Sequence, residues 1–175
     1  MGKPRIPTKA LLFTGILYSN QMWYLKAIEH LEGKFGEIAM YSPPIPWDFS
    51  EYYKDELGDN IIRRFVFFKN LIEQEQIAEI KIITNQIETL LASGNKRNVN
   101  IDPGYLTLAK IILASTKDYS HRIYLKDGIY AEVSVIYKKN RFLPHINTYK
   151  DFQDERYMEI FLSARKLLKV INKAR

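Results

Sequence analysis

Residues 10–18 (ALLFTGILY) are apolar at every position except Thr14 and Gly15. A continuous run of this length suits a strand buried on both faces. Gly15 inside it marks a bulge or the close approach of another backbone. After Ser19-Asn20, which can cap a helix start, the period changes. Met22, Leu25 and Ile28, flanked by Trp23, Ala27 and Leu31, share one side of a predicted helix that Gly33 and Gly36 end. Residues 37–41 predict a second strand, cut off by Pro43-Pro44. Residues 61–69 (IIRRFVFFK) predict a third, with Arg63 and Phe65 facing one way and Arg64 and Val66 the other. Residues 73–92 predict a long helix on the stripe Ile77, Ile80, Thr84, Ile87 and Leu91, and residues 98–102 a fourth strand.

The order strand, helix, strand, strand, helix, strand predicts the α+β class with a ferredoxin-like βαββαβ core, an antiparallel sheet carrying both helices on one face. A helix, a β-hairpin and a C-terminal helix are predicted to extend it. The third helix starts at Asp102-Pro103, an N-cap residue followed by proline at the first helical position, and runs to about Ser115. Residues 121–126 and 129–137 alternate and are joined by Asp127-Gly128, a type I′ turn signal. Residues 137–149 read as a basic loop. The last helix begins near Asp151, with Asp154 and Glu155 early and its bases late, as the helix dipole favours. Its predicted buried face is Ile160, Phe161, Ala164, Leu167, Leu168 and Ile171. Residues 1–9, with Pro4 and Pro7, read as a flexible arm, and residues 10–175 as a single domain. Residues 42–60 are the longest irregular segment and hold Trp47, Phe49, Tyr52 and Tyr53. Such a loop is either functional or a lid packed on the core.

Composition changes this picture little. At 175 residues, 46% apolar and 26% charged, the chain is of ordinary globular make-up. It has no cysteine, which excludes disulfides, thiolate metal sites and thiol nucleophiles and fits a cytoplasmic setting. No apolar run is long enough to cross a bilayer, and the basic start MGKPRIPTKA lacks the pattern of a signal peptide, so no membrane association is expected. The net charge of +6 points to an anionic partner. Its placement weakens that reading: Lys3, Arg5, Lys9, Arg165, Lys166, Lys169, Lys173 and Arg175 all lie near the ends, so the body between them carries −2.

Several stretches together resemble the prokaryotic domain of unknown function 4416 family. They are FTGILYS near the start, IKIITNQIE (residues 80–88), NIDPGYLTLAK (residues 100–110) and STKDYSHRIYLKDGIYAEV (residues 115–133). The resemblance covers nearly the whole chain and implies no activity. Many members have proline where this chain has Gln74. Some members similar to this chain carry a GTP-binding label. The residues do not support a conventional GTPase: no Gly-x-x-x-x-Gly-Lys-Ser/Thr string exists, and Thr116-Lys117-Asp118 is followed by Tyr119 where a guanine-reading Asp would stand.

Two places can carry chemistry. The predicted helix start at Asp102, Gly104 and Tyr105 would expose N–H donors to an anion, with Lys117, Arg122 or Arg63 adding charge, unless Asp102 fills its own cap. His121 and Glu132 are the acid–base candidates. With a two-residue turn, Ile123 opposes Glu132 and His121 opposes Ser134, so His121 and Glu132 lie diagonally on one face while Arg122 and Tyr124 point to the other. A structural His–Glu pair explains the same spacing. Thr84 and Asn85 sit on or beside the core stripe, where helix packing is the ordinary role. No metal ligand set is expected: His30, His121 and His145 are scattered, and spacing alone does not gather Asp48, Asp102, Asp118 and Glu132 around a cation. The best functional expectation is a small protein binding or processing an anionic ligand of nucleotide or phosphate type, with no cofactor assigned. The alternative is a non-catalytic RNA- or protein-binding module, in which Phe65, Phe67 and Phe68 would stack bases on the sheet.

Overall fold

All nine residues of β1 (Ala10–Tyr18) are buried in the computed structural model, which describes residues 2–174. The strand lies inside the sheet, between β4 (Ile62–Ile72) and β5 (Val99–Leu106), and is antiparallel to both. Its alternate side chains feed two separate cores. Leu12, Ile16 and Tyr18 pack under α1 (Gln21–Phe35) and α3 (Ile77–Leu90) on one face. Leu11 and Phe13 pack on the opposite face under α4 (Glu155–Lys173). A Cβ on Gly15 would stand 2.8 Å from Arg63 Nη1 and 2.9 Å from Phe65 Cε1, so neighbouring side chains, not a backbone, need that space.

The remaining strands are β2 (Ile38–Tyr41), the two-residue β3 (Ile45–Pro46), β6 (Lys110–Ser115), β7 (Ile123–Lys126), β8 (Ile129–Lys138) and β9 (Arg141–Pro144). The short helix α2 (Lys54–Leu57) lies in the 42–60 segment. The sheet runs β2-β4-β1-β5-β6-β8-β7, with β3 on β4 and β9 on β8. Every pairing in it is antiparallel. The α+β class holds, but the sheet has nine strands rather than the four of a simple ferredoxin-like core. No helix among the described residues is long and apolar enough to cross a membrane.

Three expectations are corrected. No helix starts at Asp102-Pro103: both lie within β5, and the residues after them form β6. The connection is a tight turn in which Thr107 Oγ1 accepts from the Ala109 and Lys110 amides at 3.2 Å. The basic loop is instead the end of β8, a turn at Lys139-Asn140 and β9. Phe65, Phe67 and Phe68 offer no stacking surface, because all three are fully buried. Phe65 and Phe67 lie under Phe161 of α4, and Phe68 lies under Phe35 of α1.

The Asp127-Gly128 turn has positive φ at both residues (52° and 75°), as type I′ requires. Lys126 pairs with Ile129, but an irregularity follows, and Ile123 pairs with Ala131 rather than Glu132.

A second irregularity shapes the site. β6 pairs with β5 only at Gly104, Tyr105 and Leu106. Before Gly104 the two strands part, and residues 99–103 have no strand on that side. Pro103 is tolerated for this reason. Ile101 turns its amide and carbonyl to the open side, so Pro103, two residues on, directs its nitrogen there too, where no partner strand needs an N–H.

Candidate functional site

The parting of β5 and β6 opens a cleft of about 530 Å³. Its back wall is the polar face of α3. Lys81 Nζ donates to the Ile101 carbonyl at 3.1 Å, and Glu88 Oε1 accepts from the Ile101 amide. Two charged side chains thus satisfy the backbone groups that a strand would otherwise pair, which explains their burial. Asn85, between them on the helix, also lines the cleft.

The floor is built around Arg63 of β4, whose side chain is 2% exposed. Its Nη1 donates to Asp102 Oδ2 at 3.0 Å and its Nη2 to Asp151 Oδ2 at 3.4 Å. Asn100 Nδ2 donates to the same Asp102 oxygen at 2.8 Å. Asn100 and Asp102 are alternate residues of β5, so both point to the face that carries Arg63. Arg63 Nε is buried without a hydrogen-bond partner. Burial opposes ionisation of Asp102, but Arg63 and Lys81 outweigh it and hold its carboxyl below the usual value. Asp151 moves the other way: burial pushes its carboxyl up, and Arg63 offsets this only in part.

Arg122 anchors the far side. Its Nε donates to Glu132 Oε2 at 2.7 Å, its Nη1 to Ser115 Oγ at 2.7 Å and to the Lys117 carbonyl at 2.9 Å, and its Nη2 to the Tyr149 hydroxyl. Glu132 Oε1 accepts from Ser134 Oγ at 2.9 Å. The remaining wall is the 42–60 segment, packed on the core through Leu57 and tied down by an Arg97–Glu56 ion pair. Its rings lie over cations: Arg63 is 5.1 Å from Trp47, Lys117 is 5.0 Å from Tyr52 and Arg97 is 5.9 Å from Tyr53.

The predicted site residues divide. Arg63, Asp102, Lys117, Arg122 and Glu132 meet around the cleft. Gly104 and Tyr105 do not. Gly104 is enclosed by Phe13, Leu113 and the Ile112 backbone, and Tyr105 packs in the core on the opposite face, toward α1 and α3. Without a helix start there is no N-terminal anion site at these residues. His121 Nε2 lies 3.1 Å from Glu132 Oε2, so the predicted pair is in contact. Arg122, expected on the opposite face, shares that carboxylate, because the irregularity between Tyr124 and Lys126 shifts the register by one and sets Arg122 across from Glu132. His121 stands outside the cleft wall. Among the described residues no group of three or more His, Asp or Glu could hold a metal ion, so Asp48, Asp102, Asp118 and Glu132 do not gather.

Sequence reasoning missed Lys81, Glu88, Asn100, Tyr149 and Asp151. One signal was available: Lys81, Asn85 and Glu88 follow at i, i+4 and i+7, a polar stripe beside the apolar one.

Comparison with curated proteins and with solved structures returns no match. The family model described as Domain of unknown function (DUF4416) matches residues 8–168. With the match spanning β1 through most of α4, and so every wall of the cleft, the chain belongs to that family.

Proposed function

We propose that the cleft binds an anionic small molecule of nucleotide or phosphate type. The observation that carries this is the content of one cleft: Arg63, Lys81, Arg97, Lys117, Arg122 and Lys150 outnumber the four acids Glu88, Asp102, Glu132 and Asp151 by two and stand beside four aromatic residues of the 42–60 segment. We read the β1, α1, β2, β4, α3 and β5 elements, in the spatial order β2-β4-β1-β5, as a ferredoxin-like unit inside the larger sheet, with the site at its outer strand. We read the protein as a cytoplasmic one. Binding rather than turnover is the favoured activity, since His121 stands outside the wall and Glu132 has both oxygens engaged.

The test is thermal unfolding in the presence of phosphate-bearing compounds, their dephosphorylated counterparts and RNA. A ligand at a hundred times its Kd stabilises by about 2.7 kcal/mol, and a chain of this size gains about 2–4 °C per kcal/mol. A rise of several degrees with phosphate-bearing small molecules alone supports the reading. No rise with any of them overturns it.

A further inference from the structure

The cations of the cleft are not equivalent. Arg63 is neutralised by Asp102 and Asp151, Arg97 by Glu56 and Glu88, and Arg122 by Glu132, while Lys81 lies 4.0 Å from Asp102. Lys117 and Lys150 are exposed, and neither ammonium has an ion pair or hydrogen bond within the described residues. Arg122 ties the two segments that carry them to the two terminal nitrogens of one guanidinium, through the Lys117 carbonyl and the Tyr149 hydroxyl. The unbalanced charge of the cleft is therefore two ammoniums at its rim.

The interior offers a different chemistry. Asp102 Oδ1 faces Lys81 Nζ at 4.0 Å but accepts no hydrogen bond among the described residues, and the side chain is 29% exposed. The Asn85 side-chain amide makes no hydrogen bond within the described residues, and it too lines the cleft. Ser115 Oγ accepts from Arg122 and from the Lys117 amide, which leaves its hydroxyl hydrogen to donate.

Resting on the binding function proposed above, we infer that the ligand is a phosphate monoester, bound with its phosphate at Lys117 and Lys150 and its hydroxyl- or amino-bearing body over Asp102 and Asn85. A phosphate monoester carries roughly −1.5 to −2 charges at neutral pH, which two ammoniums balance. A triphosphate chain brings more negative charge than the rim can neutralise. Asp102, its charge balanced by Arg63 and Lys81, leaves the interior no net positive charge to draw an anionic group from the rim, and it accepts from hydroxyl or amino hydrogens.

The experiment is calorimetric titration of the full chain with ribose 5-phosphate, adenosine 5′-monophosphate, adenosine 5′-triphosphate and inorganic phosphate. The variants are Lys117→Ala, Lys150→Ala and Asn85→Ala, none of which breaks an ion pair. Expected is binding of at least one monoester, no tighter binding of the triphosphate, and a loss of about tenfold or more in each lysine variant with unchanged melting temperature. Asn85→Ala is expected to weaken the monoester and leave inorganic phosphate unaffected. A triphosphate bound more than tenfold tighter than the monophosphate, or lysine variants that bind like the parent, overturns this orientation while leaving an anion-binding cleft intact. If none of the four compounds binds the parent chain, the orientation fails with the function it rests on.

Discussion

Arg122 and Glu132 are ten residues apart and meet in a bond of 2.7 Å from Nε to Oε2, because the observed register, with Ile123 across from Ala131, sets them opposite each other on one face. Both side chains are nearly inaccessible, at 0% and 3%. The pair holds the Lys117 backbone, Tyr149 and Ser115 in one network, so the far wall of the cleft depends on it.

Removing one partner of a buried ion pair leaves an uncompensated charge. Glu132→Gln is expected to destabilise the fold by about 3–5 kcal/mol. Urea unfolding measures this. A loss below about 1 kcal/mol would mean that Arg122 reaches water and that the network is slack.

His121→Ala is expected to behave differently. The imidazole is 22% exposed and touches a carboxylate already held by Arg122 and Ser134. The loss should stay under about 1 kcal/mol, with ligand affinity unchanged. Loss of affinity in a fully folded His121→Ala protein would return His121 to the site.

Gly15→Ala places a methyl group where Arg63 and Phe65 already stand. Overpacking of this kind costs about 1–3 kcal/mol. Because the group that must move is the Arg63 guanidinium, ligand affinity should fall together with the melting temperature. A variant as stable as the parent contradicts the close packing beneath Arg63.

Two acids of the cleft give opposite pH slopes. Burial pushes the Glu88 carboxyl above its usual value, with Lys81 and Arg97 pulling back only in part. Between its unfolded pKa, about 4.3, and its raised folded one, the native state holds more protons, so the Glu88 contribution falls as pH rises. Glu88→Gln should therefore gain stability relative to the parent as pH rises above about 4.3. Asp102 has a lowered folded pKa, so its contribution is present above about 3.9 and is lost as pH falls through the folded value. Denaturant titrations across this range check both signs. A Glu88→Gln difference that does not change with pH would contradict the first.

Most strands and helices up to residue 102 were legible because their apolar periods agree with where they are buried, but the face predicted for α1 fails: Met22 and Leu25 are exposed, and Tyr24, Ala27, Ile28 and Leu31 are the residues it buries. β1 is apolar on both faces and central, and α3 follows its predicted stripe. Residues 103–115 were misread for a physical reason. Asp-Pro is a strong helix-start pair, and the turn at residues 107–109 contains neither glycine nor proline to announce it. The alternation of Val99, Asn100, Ile101 and Asp102 already carried the strand. What decided in its favour was burial against β1, which local propensity does not encode. His121 and Glu132 were brought together correctly although the predicted register fails. Arg122 was misplaced because the irregularity between Tyr124 and Lys126 shifts the register by one residue, which nothing in the turn sequence announces.

The attachment of Lys81 and Glu88 to the Ile101 backbone has a mechanical consequence. α3 and the cleft-side margin of β5 form one lever. Any rotation of the helix about its axis pulls on the Ile101 carbonyl, which is bonded directly to the backbone nitrogen of Asp102, and any strain imposed on Asp102 travels back into the helix. A compound seated on Asp102 would thus be sensed along the whole of α3, out to its exposed end at Leu90.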